Sequence, residues 1–442
     1  MRGSAGLTPA DFPSLERLLA ERVDFERDPP TSGFELARVR ALAAALGEPG
    51  RAAPAVHVAG TTGKGTLCAL VACATSLAGM DVGWTTSPHL CDLRERIRRA
   101  ARPLSDVAWC RALGTVLEAE ASLPTDPATF FELVILSSLV AFRQAEVELA
   151  VVEVGLGGRL DATRVVQPSV CVVTRIGLDH GELLGADEAT IAGEKAGILA
   201  AGVPLVAGPE HPAARATIAA RASALGCPVW WLNEELRVEH DLLSVPGRVI
   251  RLPDSSANPA RRSAAALAGG VLLRLEVLLG RRDLLGALPS ALERLSWRGR
   301  CDWIEGEPPL LIDGAHDAHS AQALAEAYRA RAGARTAALV LAVAQGKDLE
   351  GILDAVAPLA AVAWTCAAHA PSRALPPADL AEALRARGVR ATPARDPQAA
   401  LEEARAWAAL EGRSVLVTGS LYLAGAALAA SGIDPGPAWR DA

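Results

Sequence analysis

The sequence has little of what marks secreted, membrane-spanning or nucleic-acid-binding chains. Its eight cysteines are dispersed and no C-x-x-C pair occurs, which argues against a disulfide framework or structural zinc and fits a reduced compartment. No basic block is present, and the net charge of −7 comes from mixed, well-spread charges. A polyanionic partner such as nucleic acid is therefore not expected. The opening stretch "MRGSAGLTPADFPSLERLL" lacks the apolar core of a signal peptide. The longest apolar runs, such as "FELVILSSLVAF", are broken by polar residues and too short to cross a bilayer. Neither an internal repeat nor a low-complexity tail stands out beyond general alanine richness. A soluble cytoplasmic protein is the expectation.

What is present suits large buried cores. The chain has 442 residues, half of them hydrophobic, so two or three domains are expected. "AVHVAG" (55–60), "ELAVVEVG" (148–155), "SVCVVTRIG" (169–177) and "GVPLVAG" (202–208) are strand-like runs bounded by glycine or proline. Helical patterns at 64–78, 105–120, 128–144 and 187–200 alternate with them, which predicts a parallel sheet covered on both faces. A small β-rich insertion is expected at about 235–260, then a helical stretch at 261–293. A second α/β series follows, with "PPLLIDGAH" (308–316), "TAALVLAVA" (336–344), "AAVAWTCA" (360–367) and "RSVLVTGS" (413–420). The fold expectation is α/β: a doubly wound parallel-sheet domain over 1–295, carrying the insertion, and a Rossmann-like doubly wound domain over 296–442.

The chemistry centres on "VHVAGTTGKGTLCAL", residues 56–70. A glycine-rich turn between a buried strand and a helix aims backbone N–H groups at one anion, and the helix N-terminus adds partial positive charge. The stretch departs from G-x-x-x-x-G-K-[ST] at both ends: Val58 stands where the first glycine would be, and Gly65 separates Lys64 from Thr66. Residues Gly60, Thr61, Thr62, Gly63, Lys64, Gly65 and Thr66 are the candidate phosphate cradle. Lys64 would meet the terminal phosphates, and the Thr66 hydroxyl could ligate Mg²⁺.

Acidic and imidazole groups stand at neighbouring strand ends. "AVVEVGLGG" places Glu153 before a glycine-rich turn, and "VVTRIGLDH" ends on Asp179 and His180. Ligands of open α/β sheets bind beyond the C-terminal strand ends. A phosphate loop with several such groups at one edge indicates a metal–phosphate site. Spacing alone does not choose between hydrolysis, phosphoryl transfer and ligation.

With these residues in view the chain resembles the folylpolyglutamate synthase and dihydrofolate synthase family, within the Mur ligase superfamily. The landmarks, in order, are "HVAGTTGKGT", "TTSPHL", "RERIRRAARPLS", "TFFE", "EVGLGGRLDAT", "IGLDHGELLG", "GEKAGIL", "WRGR", "LIDGAHD", "KDLEGIL" and "VLVTGSLYLAG". They span nearly the whole chain, and the superfamily's own G-T-x-G-K loop accounts for both misfits. The resemblance implies that the first domain is a P-loop ATPase domain coupling ATP hydrolysis to amide-bond formation; a monomer is expected. A folate carboxylate is phosphorylated, and the amine of glutamate then displaces phosphate.

The resemblance also implies roles for particular residues. Thr66, Ser87 and Glu153 would ligate the magnesium on the ATP phosphates. Glu153, His180 and Lys195 would serve a second metal, with Lys195 matching a lysine that family members carbamylate. Arg300, Asp313 and His316 of the second domain would clamp the nucleotide, and domain closure would exclude water from the acyl phosphate.

Several polar positions depart from the family pattern. Thr62, Arg94 and Arg164 replace asparagines, and Thr66 replaces a serine. Gly181 replaces a threonine, Asp317 and Ala318 replace Asn-Pro, and Ser263 occupies the place of an adenine-contacting asparagine. An amide both donates and accepts whereas guanidinium only donates, so Arg94, Arg164 and Asp317 are candidate substrate contacts. Three functions follow: a folate–glutamate ligase, perhaps also accepting dihydropteroate; a paralogous ligase for another acid or amine; or a silent nucleotide-binding regulator.

Overall fold

A computed structural model of the chain describes residues 8–25, 35–178, 181–254, 259–368, 373–433 and 436–440, with the side chains of 259 and 260 excepted. The backbone divides into two compact units, Met1–Ser296 with Pro437–Ala442, and Trp297–Gly436. The first division lies one residue from the expected boundary. The described residues 437–440 belong to the first unit, however, whereas the sequence had placed them in the second. Their hydrogen bonds explain this: Ser296 N–H donates to Ala438 O at 2.8 Å and Ala438 N–H to Ala101 O at 2.8 Å. Trp439 also stacks on Trp84, with centroids 6.0 Å apart. Such pairings join positions far apart in sequence, so local pattern does not reveal them.

The first unit is built on a large sheet. Its strands are β1 (Ala55–Ala59), β2 (Val82–Thr85), β3 (Ile97–Arg99), β4 (Arg102–Pro103), β5 (Leu149–Glu153), β6 (Val170–Val173), β7 (Leu205–Ala207) and β8 (Val229–Trp231). Their spatial order is β4-β3-β2-β5-β1-β6-β7-β8. The six strands from β2 to β8 pair in parallel, and β3 and β4 add an antiparallel edge. β1 and β5 are buried along their whole length, as strands covered on both faces should be. The expected insertion is the antiparallel sheet of β9 (Arg237–Glu239), β10 (Leu242–Val245) and β11 (Arg248–Arg251).

Alternation along the strands and their register put Ala55, His57 and Ala59 on one face with Ala150, Val152, Cys171 and Val173, and two apolar clusters lie side by side there. Ala55, Ala150 and Val152 join one apolar cluster with Trp109, Leu133 and Leu136, while Ala59, Cys171 and Val173 join another with Ile191 and Ile198. His57 lies on this same face, opposite Val152 and Cys171 in register. The helix Phe130–Gln144, which feeds the first cluster, starts at a capping box. The Thr129 hydroxyl and the Glu132 carboxylate satisfy each other's backbone N–H groups.

The second unit has a sheet of β12 (Asp302–Ile304), β13 (Leu310–Ile312), β14 (Ala337–Leu341), β15 (Ala360–Thr365), β16 (Arg390–Pro393) and β17 (Val415–Thr418), ordered β12-β13-β17-β14-β15-β16. All pairings are parallel except that of β12 with β13. The α/β class expected from sequence thus describes both units. No helix among the described residues is long and apolar enough to cross a membrane.

Candidate active site

β2, β5, β1 and β6 run in parallel side by side, so their C-terminal ends share one edge. Four expected landmarks emerge there: Ser87, Glu153, the loop from Gly60 and the segment from Thr174. Gly60 has φ +147°, and a Cβ there would lie 1.8 Å from Thr174 Oγ1. Only glycine lets the loop cross Thr174 this closely. The Thr174 hydroxyl donates to Thr62 O at 2.8 Å, Thr61 N–H to Arg175 O at 2.8 Å, and the Thr61 hydroxyl to Gly177 O at 3.1 Å. The loop is thus held against β6 through its carbonyls and Thr61.

Gly63, in the left-handed region at φ +84°, starts the helix Lys64–Leu77 with no side-chain cap. Several other helices do have such caps, among them Asp11, Ser105, Thr129, Asp187, Asp396 and Ser420. Uncapped first-turn N–H groups and the helix dipole suit an anion. The Lys64 ammonium donates to Gly60 O at 3.1 Å and Thr61 O at 3.3 Å. Lys195, only 4 % exposed, donates to the same Gly60 oxygen at 3.0 Å. Its helix Glu188–Lys195 approaches the loop from the other strand end.

Glu153 is 4 % exposed and its Oε2 accepts the Ser87 N–H at 3.2 Å, beside the cis Ser87–Pro88 peptide. Burial pushes the Cys68 thiol well up, the Glu153 charge adds to this and Lys64 opposes it. Both charges therefore bear on the first turns of the helix that also carries Thr66. Among the described residues no group of three or more His, Cys, Asp and Glu side chains could hold a metal ion. The expected set draws instead on two hydroxyls and one carboxylate. With substrate phosphate oxygens these are the hard donors magnesium takes. His180 and Asp179 lie outside the described residues.

The segment after Ser87 is organised by two buried residues of "RERI". Glu95 accepts N–H groups from Leu90, Cys91 and Asp92 at 2.8–3.1 Å. Arg96 donates to His89 Nδ1 at 2.8 Å and lies over the Phe130 ring. "TTSPHL", "RERI" and "TFFE" are thus one connected structure.

In the second unit, Arg300, Asp313 and His316 gather beyond β13. Asp313 accepts Cys301 N–H and Ala315 N–H, each at 2.6 Å. Burial raises its pKa and the Arg300 charge opposes that. His316 Nδ1 bonds Gly314 O at 2.8 Å, and a Cβ on Gly314 would lie 2.9 Å from Arg300 Nη1.

The chain is similar to known proteins in sequence and in fold. Residues 299–421 match the model of the Mur ligase, glutamate ligase domain. The Mycobacterium tuberculosis dihydrofolate synthase/folylpolyglutamate synthase is 33% identical over 387 residues, covering 80% of this chain and 78% of that protein. This chain belongs to the folylpolyglutamate synthase/dihydrofolate synthase family. The M. tuberculosis folylpolyglutamate synthase solved with ADP and AMPPCP is similar at TM-score 0.84 and 30% identity, covering 95% of this chain and 98% of that one. A bifunctional family member with Mn, AMPPNP and L-glutamate bound is similar at TM-score 0.81 and 27% identity, covering 96% and 99%.

Of the residues that depart from the family pattern, Arg94, Arg164 and Asp317 have partners inside the chain. Arg94 pairs with Asp92 and Asp106 at 2.8 and 2.7 Å and lies 3.7 Å from the Phe12 ring centroid. Those carboxylates hold its pKa up, and it in turn lowers that of Asp106. Arg164 donates to Ile198 O at 3.2 Å, and burial lowers its pKa. Asp317 caps the helix Ala318–Ala332 by accepting Ser320 N–H at 2.9 Å. Ser263 is exposed on the helix Pro259–Leu279. Gly181 opens the short helix Gly181–Leu184.

Sequence reasoning assigned no role to three buried residues. Asp161 Oδ2 accepts Gly155 N–H at 3.1 Å and Leu156 N–H at 3.0 Å. Its Oδ1 accepts the Thr163 N–H at 2.9 Å and hydroxyl at 2.5 Å. Thr163 Oγ1 lies 2.8 Å from His57 Nε2. The polar residues in "LDAT" and the histidine inside an apolar strand were the available signal.

Proposed function

We propose that this chain is an ATP-dependent ligase that joins L-glutamate to a folate. The observation that carries the reading is the uncapped helix N-terminus led by Lys64, opening at one sheet edge beside the Glu153–Ser87 pair. A folate carboxylate attacks the γ-phosphate of ATP, giving an acyl phosphate and ADP. The glutamate amine then attacks the acyl carbon, and phosphate leaves through a tetrahedral intermediate. The loop N–H groups from Thr62 to Thr66 and the Lys64 ammonium hold and neutralise the transferring phosphoryl group. Magnesium, held by Thr66, Ser87 and Glu153, supplies further positive charge on the phosphate oxygens. His180 and Lys195 are assigned to a second metal, with Lys195 as a carbamate. Arg300, Asp313 and His316 are assigned to the nucleotide, Asp313 to ribose hydroxyls and Arg300 to phosphate.

The ion pairs of Arg94 with Asp92 and Asp106 support folate over an unrelated acid, since that guanidinium is not left to recruit an extra carboxylate. Asp317 supports it too, because aspartate and asparagine are equivalent as N-caps. The eight free cysteines fit a reducing cytoplasm, and we take the enzyme to be a monomer. Incubation with ATP, Mg²⁺, glutamate and tetrahydrofolate or dihydropteroate tests the reading. Phosphate release with a product heavier by glutamate residues is expected. Turnover only with an unrelated acid, or none with any acid, would overturn it.

A further inference from the structure

We infer that Asp161, Thr163 and His57 form a buried positioning relay that sets Glu153 and Lys195 relative to the phosphate loop. The inference rests on the ligase reading for its purpose but on separate contacts for its existence. The Thr163 hydroxyl has one proton, which goes to Asp161, so its oxygen accepts from His57 Nε2–H. His57 is fully buried in the middle of β1, and its Nδ1 has no hydrogen-bond partner among the described residues. Burial, helped by the Arg164 charge, pushes its pKa down to about 3 and keeps it neutral.

The relay ends on the turn that joins the two groups. Gly155 lies two residues beyond Glu153, clamped between Asp161 and the Phe131 ring, which a Cβ would meet at 2.5 Å. Four residues on, Arg159 N–H donates to Glu194 O at 2.8 Å, and a Cβ on Gly158 would lie 2.9 Å from Lys195 O. The glycine-rich turn thus touches the backbone of the Lys195 helix at one end and continues from Glu153 at the other. Asp161 fixes its shape, and Thr163 ties Asp161 to β1. Three residues beyond His57, just past the end of β1 at Ala59, the Gly60 carbonyl receives the Lys195 ammonium. Ion ligands held by such outer hydrogen bonds lose affinity when the support is removed.

The test compares Thr163→Val, which keeps shape and removes the hydroxyl, with Thr163→Ser, which restores it. Thr163→Val should raise the Mg²⁺ concentration for half-maximal rate about tenfold with little change in kcat, and Thr163→Ser should recover most of this. Amide exchange at Gly155 and Leu156, read without substrate, should accelerate in Thr163→Val and His57→Leu but not in Thr163→Ser. Combining His57→Leu with Thr163→Val should add little, as for two members of one chain of bonds. Unchanged exchange and Mg²⁺ dependence in Thr163→Val would overturn the relay, as would equal losses in the serine variant. If wild type turns over no acid, the exchange comparison still decides the relay, and only the ligase reading falls.

Discussion

Lys64 and Lys195 donate to one acceptor, the carbonyl oxygen of Gly60. Two ammonium groups on a single carbonyl repel each other, and an incoming triphosphate or a negative charge on either lysine relieves this. Lys64 is the one that begins the helix proposed to bind phosphate. Lys64→Ala should lower turnover by at least about a hundredfold, the scale of losing one preorganised charge at a reacting phosphoryl group. Alanine favours the helix and Lys64 is only partly buried, so stability should change by less than about 1 kcal/mol. Steady-state kinetics and urea unfolding check both parts, and substantial residual turnover would remove Lys64 from the phosphate site.

Lys195 carries the other half of the relationship. Carbamylation would convert its buried cation into an anion facing Lys64, replacing repulsion by attraction. The intact mass of active enzyme in bicarbonate buffer should exceed the sequence mass by one CO₂, and activity should fall when CO₂ is stripped. Fully active protein at the unmodified mass would exclude the carbamate.

Gly60 is irreplaceable for a steric reason. Its φ of +147° strains any L side chain, and a Cβ 1.8 Å from Thr174 Oγ1 must displace the residue that holds Thr62 O. Gly60→Ala should cost about 3 kcal/mol or more of stability and weaken ADP binding. Urea denaturation and calorimetric titration measure the two losses. A variant of wild-type stability would mean the loop can take another path.

Legibility from sequence followed the range of the interactions. Strands such as β5 and β6 are nearly continuous apolar runs, and the glycine-rich turn from Gly60 is a local motif, so the strands and the strand–turn–helix order were readable. β2 escaped notice because Gly83 interrupts it, yet that glycine is what lets the Phe142 ring approach, 2.4 Å from where a Cβ would stand. β3 and β4 are too short for a period to show. The Lys195–Gly60 bond, the relay from His57 to Asp161, and the pairing of Arg94 with Asp106 depend on strand register and chain reversal. Arg94 stood out as a candidate substrate contact because its partner Asp106 lies twelve residues on, beyond the reach of local pattern.

Trp439 tests the return of the chain to the first unit. It is buried against Trp84 and bridges Leu295 antiparallel, and its neighbour Ala438 accepts the Ser296 N–H. Trp439→Ala should destabilise the first unit by about 3–5 kcal/mol, the usual cost of emptying a buried tryptophan site. Trp84 fluorescence and exchange in 82–101 should report the loss, while amides of β13 and β14 keep their protection. Equal loss of protection in both units would place the tail's contribution elsewhere.

Acid should destabilise the protein through His57. Its ordinary pKa is 6.5 and burial lowers it to about 3 in the folded chain. Between these values the unfolded chain binds a proton that the native one does not, so stability falls as pH falls. The contribution is fully present above pH 6.5, down by about 2 kcal/mol at pH 5, and lost progressively until about pH 3. Asp161 acts in the opposite sense. Burial raises its pKa above the ordinary 3.8 despite its four hydrogen bonds, so its contribution is present at low pH and lost as pH rises through the raised value. His57→Gln keeps a donor for Thr163 and removes the titration, so comparison with wild type cancels the other carboxylates. Between pH 7 and pH 5 wild type should lose about 2 kcal/mol more than His57→Gln in urea unfolding. Parallel losses would mean that His57 takes up its proton in the folded chain as readily as in the unfolded one.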